Sequence, residues 1–135
     1  MAASITDNIP QQRTPREAAP TKIKRTNGTG DISATVSLSA PQANNCFSID
    51  QIWVGASAAL TSGNLTITAG RTVGSVTYTI PLVAAQDMTG LSGYQFQPTR
   101  PIVIPSGETV TVAWTAPSAD AAKTWVCDII YTVLS

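Results

Sequence analysis

Few side chains in this sequence could do chemistry: Cys46 and Cys127, eight carboxylates, and no histidine at all. Without His, Ser-His-Asp and Cys-His nucleophilic chemistry have no base within the chain, and a His-containing zinc site has no ligand. The two thiols lie 81 residues apart. They make neither a CxxC redox motif nor a four-ligand site, and they read as two small core residues, with a disulfide between them as the alternative. A carboxylate pair could run glycoside hydrolysis without His. The six acids beyond residue 30, Asp31, Asp50, Asp87, Glu108, Asp120 and Asp128, are scattered over turns, loops and strand positions, where such residues cap and solvate. Asp87, with backbone carbonyls of the loop over 84–90, offers a calcium alternative that no EF-hand or repeat spacing supports. Gly70-Arg71-Thr72-Val73-Gly74 lacks both phosphate-loop spacings and joins two strands, so it reads as a hairpin turn. No catalytic residue, metal set or cofactor is implied, and the chain reads as a non-enzyme.

The elements that must position these residues are strands. Twelve Ser and 19 Thr in 135 residues, with hydrophobic residues at 43%, favour short strands with hydroxyl-rich outer faces. From Asp31 onward the period is two. Ile32, Ala34, Val36 and Leu38 alternate with Ser33, Thr35, Ser37 and Ser39 before Pro41. Phe47 and Ile49 share one parity and Ile52 and Val54 the other, which predicts a bulge near Asp50-Gln51 or a strand covered on both faces. Residues 65–69 and 76–80 alternate cleanly between Gly63, Gly70 and Gly74 as a hairpin, and Pro81 marks an edge or strand end. Tyr94-Gln95-Phe96, Ile102-Val103-Ile104, residues 109–115 and residues 124–134 complete eight candidate strands. Eight short strands at this spacing predict an all-β fold, one antiparallel β-sandwich of jelly-roll or Greek-key type over residues 31–135.

Residues 1–30 differ in kind. Arg13, Arg16, Lys22, Lys24 and Arg25 face only Asp7 and Glu17 there, whereas residues 31–135 carry three cations against six acids. Pro10, Pro15 and Pro20 recur, and all eight aromatics lie between Phe47 and Tyr131. Such a segment predicts an extended basic arm, ordered by docking on a neighbouring protein through those five cations. Nucleic acid is disfavoured as a partner, because the cluster Lys22-Ile23-Lys24-Arg25 is small and no aromatic precedes Phe47 to stack on a base. There is no 18-residue apolar run and no secretory signal, so the chain reads as soluble, cytoplasmically made and without a membrane partner.

The last strand is apolar on both faces. Its odd positions from Trp125 to Val133 form a core face, yet Val126, Ile130 and Leu134 make a second stripe, which predicts cover by a subunit, the arm or a loop. Trp114, Trp125, Tyr78 and Tyr131 fall on inward parity. Trp53 and Tyr94 are left as the candidates for a sugar-stacking platform.

One further pattern concerns the run Gly63-Asn64-Leu65-Thr66-Ile67-Thr68, then Tyr78-Thr79-Ile80 and Asp87-Met88-Thr89-Gly90. It continues with the proline-bounded strand from Pro101 to Pro105, the turn Ser106-Gly107-Glu108, the alternating strand from Thr109 to Val112 and the closing strand from Trp125 to Tyr131. This half of the chain resembles small β-sandwich structural proteins of tailed bacteriophage virions. The resemblance implies a capsid decoration or cement protein, located in the virion after assembly in the bacterial cytoplasm. Its partners would be the major capsid protein, other virion proteins and further copies of itself. A tail or vertex component and a carbohydrate-binding adhesion module are the alternatives. A basic arm before a jelly roll is also similar to coat proteins of small RNA viruses, whose arms carry many more cations.

Overall fold

The computed structural model describes residues 21–38 and 42–134. Arg13 and Arg16 of the arm, and Pro41, lie outside the described residues. Nine strands follow in order: β1 (Thr21–Thr29), β2 (Ile32–Val36), β3 (Cys46–Ala56), β4 (Asn64–Val73), β5 (Val76–Asp87), β6 (Gly93–Phe96), β7 (Ile102–Ile104), β8 (Thr109–Trp114) and β9 (Thr124–Leu134). A single 3-10 turn at Ser118–Asp120 is the one helical element among the described residues. One sheet runs β1-β9-β3-β6, with β7 also paired to β3; the other runs β2-β8-β4-β5. Every ladder is antiparallel.

The strand order is that of a jelly roll. The chain crosses between sheets from β1 to β2, and these two lie beside β9 and β8 respectively. It crosses again from β3 to β4, and these flank β9 and β8 on the other side. Then β5 adds to β4 while β6 and β7 add to β3. Each successive crossing pair is thus laid against the last, two Greek keys wrapped around one core.

β1 is the strand that alternation did not reveal, and it moves the start of the sandwich. Charge and proline place the boundary at Gly30, yet Thr21 to Thr29 pairs residue for residue with Thr132 to Thr124. Sequence TKIKRTNGT has no apolar face to announce it, because β1 is an edge strand and keeps charges on both faces. What recruits it is the edge of β9. Gly28 contributes a close approach: a Cβ there would sit 2.8 Å from the Trp125 ring, so only Gly lets β1 run past that indole.

The bulge falls where parity switches, between Ile49 and Gln51. Asp50 is the extra residue, and on either side of it Phe47, Ile49, Ile52 and Val54 all turn inward. They meet Ile32, Leu65, Ile67, Val110 and Val112 of the facing sheet, all but excluded from solvent. Removing one such side chain to Ala typically costs about 2–5 kcal/mol. Cys127 lies in the same core with no exposed surface. Burial, then the neighbouring Asp128 charge, pushes its thiol up to about 12. The disulfide alternative fails on register: Cys46 pairs with Leu134 while Cys127 pairs with Val54. Seven strand residues separate them, about 23 Å, far beyond the roughly 7 Å limit for a bridge. Both cysteines are free.

Candidate functional site

The outer face of the five-stranded sheet collects the residues the sequence singles out. Across its three long strands the register aligns Asn27 with Val126 and Gly55, Arg25 with Asp128 and Trp53, and Ile23 with Ile130 and Gln51. The expected apolar stripe is therefore central in the sheet and wider than one strand. Val126 is 41% exposed, Ile130 and Leu134 are half-buried, and Ile23, Trp53 and Val103 are exposed on the same sheet. Of the covers expected for the stripe, the arm's described part lies beside β9 as β1. No described element packs over that face. At the end bearing Trp125, a groove of ≈620 Å³ opens over Val126, Gly55 and Ala56, with Asn27, Thr29, Ser57 and Thr124 at its rim. Gly55 matters here because a Cβ would meet nothing within 4 Å, so the floor is open to an incoming group.

The basic residues of β1 are partly spent within the chain. Arg25 donates through Nε and Nη2 to both oxygens of Asp128, each at 2.8 Å. Those bonds hold the Asp128 carboxyl below the usual carboxylate range and raise the Arg25 guanidinium. Lys24 is on the inward parity at the sandwich edge, where its Nζ donates to the Thr35 carbonyl of β2 at 3.4 Å. Lys22 is exposed. Of the five arm cations, Arg25 thus serves the sheet first, Lys24 closes an open edge, and Lys22 is presented to solvent.

The aromatic residues sort differently from their parity. Trp114 and Trp125 are buried, and their indole N–H groups donate to the Ser62 and Asp31 carbonyls. Tyr131 is half-buried, edge-on to Phe47 with ring centroids 5.7 Å apart. Tyr78 corrects the expectation of a core tyrosine. It keeps inward parity but is 59% exposed: it sits on the edge strand, and its partner Arg71 lies beyond Gly70, where the β4–β8 ladder of its own sheet ends. Tyr94 is half-buried against the core, leaving Trp53 as the exposed ring; its Nε1–H donates to Gln51 Oε1 at 2.7 Å, which fixes the indole's orientation.

Five of the six acids beyond residue 30, all but Glu108, have structural work. Asp31 accepts the Ala116 N–H, Asp50 accepts the Thr132 hydroxyl, and Asp87 accepts both N–H and hydroxyl of Thr89, which lowers its pKa. Asp120 is the one that sequence reading missed. Read as a loop acid, it is fully buried, accepting the Thr61 N–H and hydroxyl at 2.8 Å and paired to Lys123 Nζ at 2.7 Å. Burial alone would raise its pKa; the bonds from Lys123 and Thr61 outweigh that and hold it below the ordinary value. Only a short acid-to-lysine spacing, Asp120 to Lys123, hints at this in the sequence. Among the described residues no group of three His, Cys, Asp or Glu converges as a metal site, and no helix is long and apolar enough to cross a membrane.

No family model matches the chain, and no curated protein matches it. A solved structure of the infectious bursal disease virus Gx strain is similar at 12% identity and a TM-score of 0.36, over 85% of this chain and 37% of that one. The chain therefore spans little more than a third of the length of that neighbour.

Proposed function

We propose that this protein is a non-enzymatic virion structural protein, a capsid decoration or cement protein of a tailed phage. It binds a lattice of major capsid protein through the outer face of its five-stranded sheet. The observation that carries this reading is the uncovered apolar surface there, where Ile23, Trp53 and Val126 stand exposed beside half-buried Ile130 and Leu134. A sheet face that only meets water alternates toward polar residues, whereas this one retains an apolar centre with an Arg25–Asp128 pair set into it. The jelly-roll scaffold supports the reading by analogy, since capsid domains recur on it, and so do lectins. Residues 1–20, with Arg13 and Arg16, add a second point of attachment. Two tethered contacts raise effective concentration, and binding to the assembled particle stabilises it by linkage.

The test is co-sedimentation of the full chain with particles from its source. Saturable binding at high, fixed stoichiometry is expected, reduced at least tenfold by Val126→Asp or Ile130→Asp. The truncation for the arm is residues 1–20, because removing residues 1–30 would also strip β1 from β9. That shorter deletion should leave a folded sandwich with weaker attachment. No binding by the intact protein would sink the decoration reading.

A carbohydrate-binding module is the second reading, favoured by one arrangement. The oriented Trp53 ring lies beside Gln51, Gln95 and the Arg25–Asp128 pair, an apolar stacking surface next to planar hydrogen-bonding groups. Glycan binding by the free protein, lost in Trp53→Ala, would favour it over the capsid reading.

A further inference from the structure

We infer that the projecting hairpin of β4 and β5 is a self-association surface, covered by the same hairpin of a second copy of this chain. The inference goes beyond the proposed capsid role and uses a different face. The ladder between β4 and β8 ends at Gly70 and Thr109, but β4 continues to Val73 and returns as β5 from Val76. Three further residues per strand carry the hairpin about 10 Å past the rest of its sheet. Every residue from Arg71 to Ile80 is exposed.

The overhang is two-faced. Thr68, Thr72, Thr77 and Thr79 occupy one side, with the Thr72 and Thr77 hydroxyls 2.9 Å apart. Val73, Val76, Tyr78 and Ile80 continue the parity of buried Ala69, and each keeps half or more of its surface exposed; Arg71, paired with Tyr78, shares this side. This side has the parity that faces the other sheet, yet its exposure shows that the other sheet does not cover it. A two-stranded ribbon alone in water is marginal, and its apolar side wants one β layer about 10 Å away.

A second copy supplies that layer with the same width and the same apolar side. A cleft of ≈300 Å³ runs along it, from Ala69 to Ile80, with Arg71 and Glu108 in its lining. These two residues carry opposite charges and are next to the Gly70–Thr109 pair, and among the described residues no ion pair joins them. A two-fold axis sets Arg71 of each copy against Glu108 of the other, so the patch is complementary to itself. Zero net charge leaves no long-range repulsion between copies. The apolar patch is made by four exposed side chains, less than a standard interface contributes per partner. Association is therefore weak and reversible in solution, and becomes effective where copies are held side by side.

Sedimentation velocity of the full chain from about 5 μM to 1 mM, with no other protein present, tests this apart from any capsid binding. A concentration-dependent dimer is expected, lost in the double variant Tyr78→Ser/Ile80→Ser, whose thermal unfolding should match the wild type. Arg71→Glu and Glu108→Arg, each alone, should weaken the dimer about tenfold or more by opposing like charges. An equimolar mixture of these two variants should recover it, because each copy then presents the charge the other lacks. Monomer throughout the range, or a dimer indifferent to Tyr78→Ser/Ile80→Ser, overturns the inference. A mixture that stays as weak as its components overturns it too. So does a chain lacking residues 1–20 that dimerises when the full chain does not, since residues 1–20 would then be the occupant.

Discussion

Ile67 on β4 and Ile80 on β5 face the same side of one hairpin; Ile67 has no exposed surface, and Ile80 keeps 62%. The difference extends to the two ends of the molecule. At the end holding Trp114 and Trp125, loops fold over the core. Leu60 and Met88 plug it, both indoles donate to backbone carbonyls, and Asp120 ties Thr61 to the turn before β9. At the hairpin end, the same alternation of apolar and hydroxyl residues runs on with no described residue covering it. Pattern decides which side of a strand is apolar; whether another element covers that side decides whether it becomes core or a docking surface. The first end is built for stability and the second for meeting another molecule.

The largest expected effect separates those two roles directly. Ile67→Ala should lower unfolding free energy by about 3 kcal/mol, for lost transfer energy and the cavity left behind. Ile80→Ala deletes the same atoms and should cost no more than about 0.5 kcal/mol in the monomer. Urea unfolding at low protein concentration measures both. A cost of several kcal/mol at Ile80 would mean that the hairpin packs within its own chain, and the contrast between the ends would collapse.

Next in size is the lock at the closed end. Asp120→Asn leaves Lys123 without its carboxylate and weakens the bonds from Thr61, and should lower Tm by roughly 5 °C or more at pH 7. Since the folded pKa of Asp120 lies below its unfolded value, its contribution is fully present above about pH 4 and is lost as pH falls through the folded value. The wild type and Asp120→Asn should therefore converge in Tm as pH drops below about 4. A difference that persists unchanged at pH 2 would show that packing, and not the charge, makes the lock. Asp87 and Asp128 titrate in the same direction in both proteins and cancel from the comparison.

How far this contrast could be read from residues alone follows from what alternation encodes. Eight strands, the bulge at Asp50 and the hairpin over 65–80 were legible, because each is a statement about parity and turn residues. The stripe Val126, Ile130 and Leu134 was legible for the same reason, as apolar residues on the wrong parity. β1 was not, since its pairing is licensed by the edge of β9 and its own residues have no apolar face. Nor was the exposure of Tyr78, whose parity is inward; what differs is the reach of a sheet contributed by distant segments. Asp120 was hidden because Thr61 approaches it from 59 residues away. Local pattern reports a residue's own strand, and these three facts belong to its neighbours.

The smallest effect on stability should accompany a larger one on docking, at the Arg25–Asp128 pair. Its two 2.8 Å bonds are well aligned, but the Arg25 side chain is 66% exposed, so solvent screens most of the attraction and side-chain ordering offsets part of the rest. Arg25→Met keeps the aliphatic stem and should move Tm by no more than about 2 °C at pH 7. The shift should fade in 1 M salt, and also as pH falls below about 4, because the depressed pKa of Asp128 makes its contribution an ionised-state one. On the apolar outer face the same substitution strips a charge-assisted pair and leaves Asp128 facing whatever docks there. Particle binding should then weaken several-fold while the fold is untouched. If Arg25→Met lowers Tm substantially and leaves particle binding alone, the outer face belongs with the closed end as structure, and among the described residues the hairpin would stand as the surface made for a partner.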